Sequence, residues 1–448
     1  MSASARMRAG FLSGAVSYMA GQGCTLLFQW MLLRHFGAQG YADVGLAHLG
    51  LLTVLFLADL GYASLFLRED PASEGWVLRW RQALCHRLAA TLVLDLAWVA
   101  GAWWTSRGQG EGFAYLLSVL PATLLGLVGY SAPLLAQGRR LAGFGVQQVA
   151  VPAATLAWLA LRGAPGWEGG MGAGVAVSVG YLAQATVNVA LFGGPLRLLL
   201  PAVGGGRMLV SALRLSALGI AGTLHDRLTP FLLASAAPAF VPAYLLLGYL
   251  LNGAGGVFNQ FNRLLLAEAH TDTGVRWACG LMSLVLGLSA PAALLLWPAA
   301  ARWGNAEQRE WLPWVMPVLV AGAIVLFSSV LSALLIGRRR EGALLRVFVW
   351  CLAVSTLLQV AAAAASAPVP LLWGRLLGVL GIMAASLWLC GLRPNAGGWA
   401  ALLALLLAGV PWAGSGGAAP AALLLLLPTA WAAWRCHGLL RASGSRPS

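Results

Sequence analysis

Three ionisable side chains, His225, Asp226 and Arg227, stand side by side in "LGIAGTLHDRLTPFLL" (218–233), a run that is otherwise apolar or merely hydroxylated. An arginine in such surroundings must face water, a partner or a ligand. A carboxylate beside it can hold or release that cation. Pro230 lacks the N–H that would bond the carbonyl of Asp226, so an acceptor is freed and a kink is expected beside the charged group. Adjacent helix residues point about 100° apart, so the three side chains cannot all face one cavity. The structural alternative is that Asp226 neutralises Arg227 or a side chain of another helix, that His225 packs as a hydrogen-bonded residue, and that the set only fixes register.

Other polar residues fall inside apolar stretches. Asp95 in "LVLDLAWVA" is a candidate partner or protonation site, with a plain interhelical hydrogen bond as the alternative. Gln22 and Gln29 are seven residues apart, and Gln184 and Asn188 four, so each pair shares a helix face. Such a face can line a lumen, or glue helices together. Asn252 and Asn259 belong to "NGAGGVFNQFNR" (252–263), the least apolar part of any such stretch, which faces a lumen or marks an early helix end. Asp59 and Arg68 read as an end-cap or a loop salt bridge, and Arg375 can snorkel to an interface. The six cysteines are isolated, and no nucleophile–base pair, phosphate loop or metal-ligand spacing occurs. No enzymatic activity, metal or cofactor is expected.

The elements that carry these residues follow from composition. Of 448 residues 60% are hydrophobic and 9% charged, with a mean hydropathy of +0.79, which no water-facing surface could carry. Stretches long enough to cross a hydrocarbon layer of roughly 30 Å as helices recur along the chain. They fall near 10–33, 44–67, 88–105, 112–136, 141–161, 171–193, 210–236, 239–267, 277–300, 313–336, 343–366, 369–391, 398–412 and 418–435. The expected fold class is therefore an all-α polytopic membrane protein of 12–14 transmembrane helices. Arg227 lies well inside its expected span of 210–236, where an unpaired cation costs between about 3 and more than 10 kcal/mol.

All 28 basic residues are arginines, and alternate connections hold 21 of them against five on the opposite side. By the positive-inside rule both termini are cytoplasmic and the number of spans is even. A nucleic-acid partner is not expected from the net charge of +14, because the arginines are scattered over short loops.

Set against itself at an offset of 200, the chain pairs 27–52 with 227–252, so that Leu32-Leu33 meets Leu232-Leu233 and Asp59 meets Asn259. A six-span period results. Because six is even, two parallel six-helix lobes are expected around a central cavity, with the seventh span at their interface. The expected domains are an N-terminal lobe (1–200), a C-terminal lobe (201–393), and two further helices with a cytoplasmic tail (394–448).

The stretch "FQWMLLRHFGAQGYADVGLAHLGLLTVLFLADLGYASLFLRE" (28–69), with its Gly-x-x-Gly-Tyr turn at 37–41 and the "DLGY" that closes the second helix, resembles the polysaccharide transporters of the multidrug/oligosaccharidyl-lipid/polysaccharide (MOP) exporter superfamily, which include O-antigen flippases. The resemblance extends more thinly to about residue 391. The second-half turn departs from the pattern and reads "APAFVPAY" (237–244). What the resemblance implies is a flippase of the bacterial inner membrane. It would move a polyprenyl-pyrophosphate-linked oligosaccharide from the cytoplasmic to the periplasmic leaflet for surface polysaccharide biosynthesis. Its partners would be that glycolipid, membrane lipids, and a polysaccharide polymerase with its chain-length regulator. A cation-coupled multidrug exporter of the same superfamily is the alternative and would favour midplane carboxylates. A membrane-embedded glycan polymerase or ligase would need a large outer loop with clustered Arg and His, which the short outer connections do not supply.

Overall fold

The computed structural model describes residues 3–163, 168–194, 196–268, 306–338 and 340–391. The expected spans 277–300, 398–412 and 418–435 lie outside these residues.

Among the described residues every regular element is helical. The first two expected spans form one long run, α1 (Ala3–Ala58), that folds back at Gly37. The backbone there (φ 67, ψ −177) is a conformation that only glycine takes without strain. A left-handed pair, Leu60 (φ 53) and Gly61 (φ 86), separates α1 from the short α2 (Tyr62–Phe66). Next come α3 (Trp76–Ser106), α4 (Glu111–Leu125), α5 (Ser131–Ala136) and α6 (Arg140–Gly145). A π-helical turn, Val146–Ala150, continues α6 into α7 (Val151–Arg162). The remainder are α8 (Gly169–Phe192), α9 (Gly206–Ala236), α10 (Val241–Glu268), α11 (Ala306–Gly337), α12 (Glu341–Ala364) and α13 (Pro368–Cys390). Seven of the described helices are long and apolar enough to cross a membrane. The chain is an all-α polytopic membrane protein.

Two compact units are present, residues 1–234 with 241–253, and residues 235–240 with 254 onward. In the first unit the second half of α1 is the central element, with Tyr41, Val44 and Leu51 all fully buried. Small residues set the distance between its neighbours. A Cβ on Gly174 of α8 would lie 2.7 Å from the Tyr115 carbonyl oxygen of α4, and one on Gly180 would lie 2.7 Å from the Val151 carbonyl oxygen of α7. Glycine alone lets these backbones approach so closely, the usual means by which helices associate in lipid, where no hydrophobic force drives them together. At the end of α1 remote from Gly37, Trp76, Trp80, Tyr130 and Phe192 form a continuous stack with ring centroids 4.8–5.3 Å apart between successive members. In the second unit α13 packs on α12 through Gly378, which faces Ser355, and the Ser355 hydroxyl donates to the Gly374 carbonyl at 2.9 Å.

Candidate functional site

The helix α9 runs through Pro230 from Gly206 to Ala236 and turns its three ionisable side chains apart, as the helical angle requires. His225 is buried at 5% exposure, Asp226 is exposed, and Arg227 is half-buried. Arg227 lies within electrostatic reach of His48 and Tyr249, and the one acid that acts on it among the described residues is its exposed neighbour Asp226.

Around this cation the first unit collects a set of buried polar groups. Folding α1 back at Gly37 brings its two halves side by side, and the Tyr41 hydroxyl donates to Gln29 Oε1 at 3.0 Å. Two turns further along α1, His48 Nδ1 shares a hydrogen bond of 2.6 Å with the Tyr115 hydroxyl of α4. Tyr249 of α10 lies within electrostatic reach of Tyr41, Tyr115, Tyr181 and Arg227. The Tyr249 hydroxyl and Gln29 Nε2 are buried and have no hydrogen-bond partner among the described residues. Burying donors without partners costs about 1–3 kcal/mol each.

The remaining predicted residues are placed as follows. Gln22 is half-buried on α1, its Oε1 without a partner among the described residues. Asp95 is half-buried and accepts a 2.7 Å hydrogen bond from Thr123, which joins α3 to α4, while its other oxygen is buried without a hydrogen bond among the described residues. Gln184 donates to the Val146 carbonyl at 3.0 Å, and Asn188 to the Val128 carbonyl at 3.1 Å. The two amides thus bond backbone at irregular places, the π-helical turn and the break between α4 and α5. Asn252 is exposed, and its backbone carbonyl accepts from the Tyr18 hydroxyl at 2.6 Å. The Asn259 side chain lies outside the described residues. The structure therefore relates Gln29 to Arg227 only by way of Tyr41 and Tyr249, and gives Asp95, Gln184 and Asn188 partners of their own.

His48, Tyr41, Tyr115, Tyr181 and Tyr249 are not legible as site residues in the sequence. The signal available is the seven-residue spacing of Tyr41 and His48, the same spacing that singles out Gln22 and Gln29. Asp59 takes the end-cap role read from the sequence, accepting the Ala63 N–H at 3.0 Å, and it also faces Arg87 of α3 at 3.7 Å. Arg87 donates to the Leu127 and Gly126 carbonyls at 3.2 and 3.4 Å.

Solved structures with the same arrangement of helices are transporters. The chain is similar to a MATE transporter solved as a proline-to-alanine mutant, with a TM-score of 0.58 at 13% identity over 90% of this chain and 97% of that one. It is similar to an outward-facing multidrug resistance MATE family transporter of the MOP superfamily, with a TM-score of 0.54 at 13% identity over 97% of both chains. The fold is that of MOP superfamily transporters. A third neighbour, a MOP superfamily transporter from Pyrococcus furiosus, gives a TM-score of 0.52 at 13% identity over 97% and 96%. No protein-family model and no curated protein matches the sequence.

Proposed function

We propose that the protein is a flippase for an anionic glycolipid, a polyprenyl-pyrophosphate-linked oligosaccharide, working by alternating access. The observation that carries this reading is Arg227, a half-buried cation in mid-helix within electrostatic reach of the buried Tyr249 hydroxyl. A sugar–pyrophosphate head needs a wet, cationic path, while its tail can stay in lipid. Arginine offers the phosphate oxygens paired, fixed donors. The Pyrococcus furiosus neighbour is described by a reversed polarity of its binding pocket that suggests a different function. A cationic interior in this fold would be a departure of that general kind.

A multidrug exporter is the second reading, favoured by the multidrug MATE neighbour and by Asp95, whose Oδ1 is buried without a hydrogen bond among the described residues. The test is flipping of a fluorescent polyprenyl-pyrophosphate-linked sugar in proteoliposomes beside uptake of a lipophilic cation such as ethidium. The glycolipid reading expects Arg227→Ala to abolish flipping while the protein still inserts, and Arg227→Lys to retain part of it, since charge survives and the fork is lost. An Asp226→Ala/Arg227→Ala double variant that flips normally, or ethidium transport that depends on Asp95 and not on Arg227, refutes it.

A further inference from the structure

A cavity of about 520 Å³ lies within the first unit, a size in the range of small-molecule sites. Its walls are where helices stop being helical. Gly61 follows α1, Gly126 and Gly129 lie between α4 and α5, and Gln147 sits on the π-helical turn. Three irregular stretches border one space, and irregular backbone within a membrane unit is tolerated where it is held by protein or lines a cavity. Here it is held. Arg87 takes the carbonyls of Gly126 and Leu127, and Gln184 takes that of Val146. Leu60 keeps a left-handed backbone (φ 53), a conformation that costs a non-glycine residue energy and is found where a site over-determines it.

The lining has a definite chemistry. Its charged residues are Asp59 and Arg87, which face each other at 3.7 Å and leave no net charge to select a cation or an anion. Gln147 adds an exposed amide, and Ser64, Ser131 and Tyr181 add hydroxyls. Leu55, Phe56 and Ile220 supply apolar wall. Hydroxyls, an amide and a carboxylate–guanidinium pair set against apolar wall match a pyranose ring, which carries equatorial hydroxyls around an apolar face. Tyr181 also lies within electrostatic reach of Tyr249, and through it the space borders the Arg227 cluster.

The geometry points to a saccharide-binding subsite in this cavity, one that takes a sugar ring of the glycan while Arg227 takes the anionic link. The choice of ligand rests on the glycolipid reading above. The experiment uses full-length protein in lipid nanodiscs and saturation-transfer NMR with methyl α-glucoside, methyl α-mannoside and N-acetylglucosamine as probes, with inorganic pyrophosphate and tetraphenylphosphonium as controls. Two variants report on the site. Gly219→Leu fills it, since a Cβ there meets only Phe56 at 3.6 Å, and Gln147→Leu removes an amide that makes no described contact holding the fold. At least one sugar should show ring-proton saturation that falls at least about fivefold in both variants, the scale of one lost hydrogen bond. Absence of any sugar signal overturns the inference. So does a signal that survives Gly219→Leu, or competition for the cavity by tetraphenylphosphonium or by lipid acyl chains. Sugar binding that persists in a protein unable to flip glycolipid in proteoliposomes would refute the transport reading and leave the subsite standing.

Discussion

Arg87→Ala removes the side chain that holds the break between α4 and α5 and faces Asp59 at the end of α1, and its cost can be worked from the contacts. The Arg87 side chain is 11% exposed, and its guanidinium donates to the Leu127 and Gly126 carbonyls at 3.2 and 3.4 Å. A hydrogen bond from a charged donor contributes about 1.5–3 kcal/mol when well formed, and the two here are long, so about 1–1.5 kcal/mol each is a fair value. The Asp59 contact at 3.7 Å adds little beyond this, because it is too long for a hydrogen bond. Loss of Arg87 should therefore destabilise the first unit by about 2–3 kcal/mol, nearly all of it through the carbonyls. Asp59→Ala should cost about 1 kcal/mol, by loss of the cap on the Ala63 N–H. Thermal unfolding of the single and double variants in detergent measures the coupling between them, which should stay below about 1 kcal/mol. A coupling of about 3 kcal/mol or more would show that the ion pair is the main bond, as expected of a tightly paired buried salt bridge. An Arg87→Ala protein as stable as the parent would refute the role of Arg87 altogether.

Other expectations follow from the same contacts. Gly174→Val should push α8 away from the Tyr115 carbonyl and cost about 1–3 kcal/mol, seen as a lowered unfolding temperature, whereas Gly23→Ala, with open space around it, should cost less than about 0.5 kcal/mol. His48→Phe should strand the buried Tyr115 hydroxyl, and adding Tyr115→Phe should restore part of the lost stability, as unfolding in detergent would measure. Thr123→Val should cost about 0.6–1.7 kcal/mol, the range for interhelical hydrogen bonds in membranes, since Asp95 loses its donor; no change in unfolding would refute that role. A periplasm-active reporter fused after residue 342 should be silent if the arginine asymmetry sets orientation, and activity there would refute the cytoplasmic placement of 338–346.

Spans are legible because apolar length is what a bilayer selects. The stretch 171–193 appears as Gly169–Phe192, and 369–391 as Pro368–Cys390. The stretch 112–136 reads as one helix, yet it breaks between Leu125 and Ser131, because "GLVGY" is as apolar as a helix while its glycines release the backbone. Likewise 141–161 hides a π-helical turn that changes no hydropathy value. Asp59 is readable because an acid just past an apolar run has few roles besides a cap. The partners of Gln184 and Asn188 are not, since they are carbonyls at the π-helical turn and at the break between α4 and α5, neither of which the pattern reveals. Arg227 is conspicuous by its chemistry, but the tyrosines around it come from α1, α4, α8 and α10, and only the fold brings them together.

The π-helical turn at Val146–Ala150 is equivalent to one residue inserted into an otherwise regular helix. Because the bulge itself absorbs the extra residue, deleting one residue there would let α6 run into α7 with ordinary winding and leave the flanking turns nearly in place. What would change is the set of side chains, Gln147 among them, that this turn presents to the cavity wall. A one-residue length difference in this helix is therefore an evolutionary dial: related chains that differ only by that gap would share the fold and the spans while presenting different chemistry to whatever they carry.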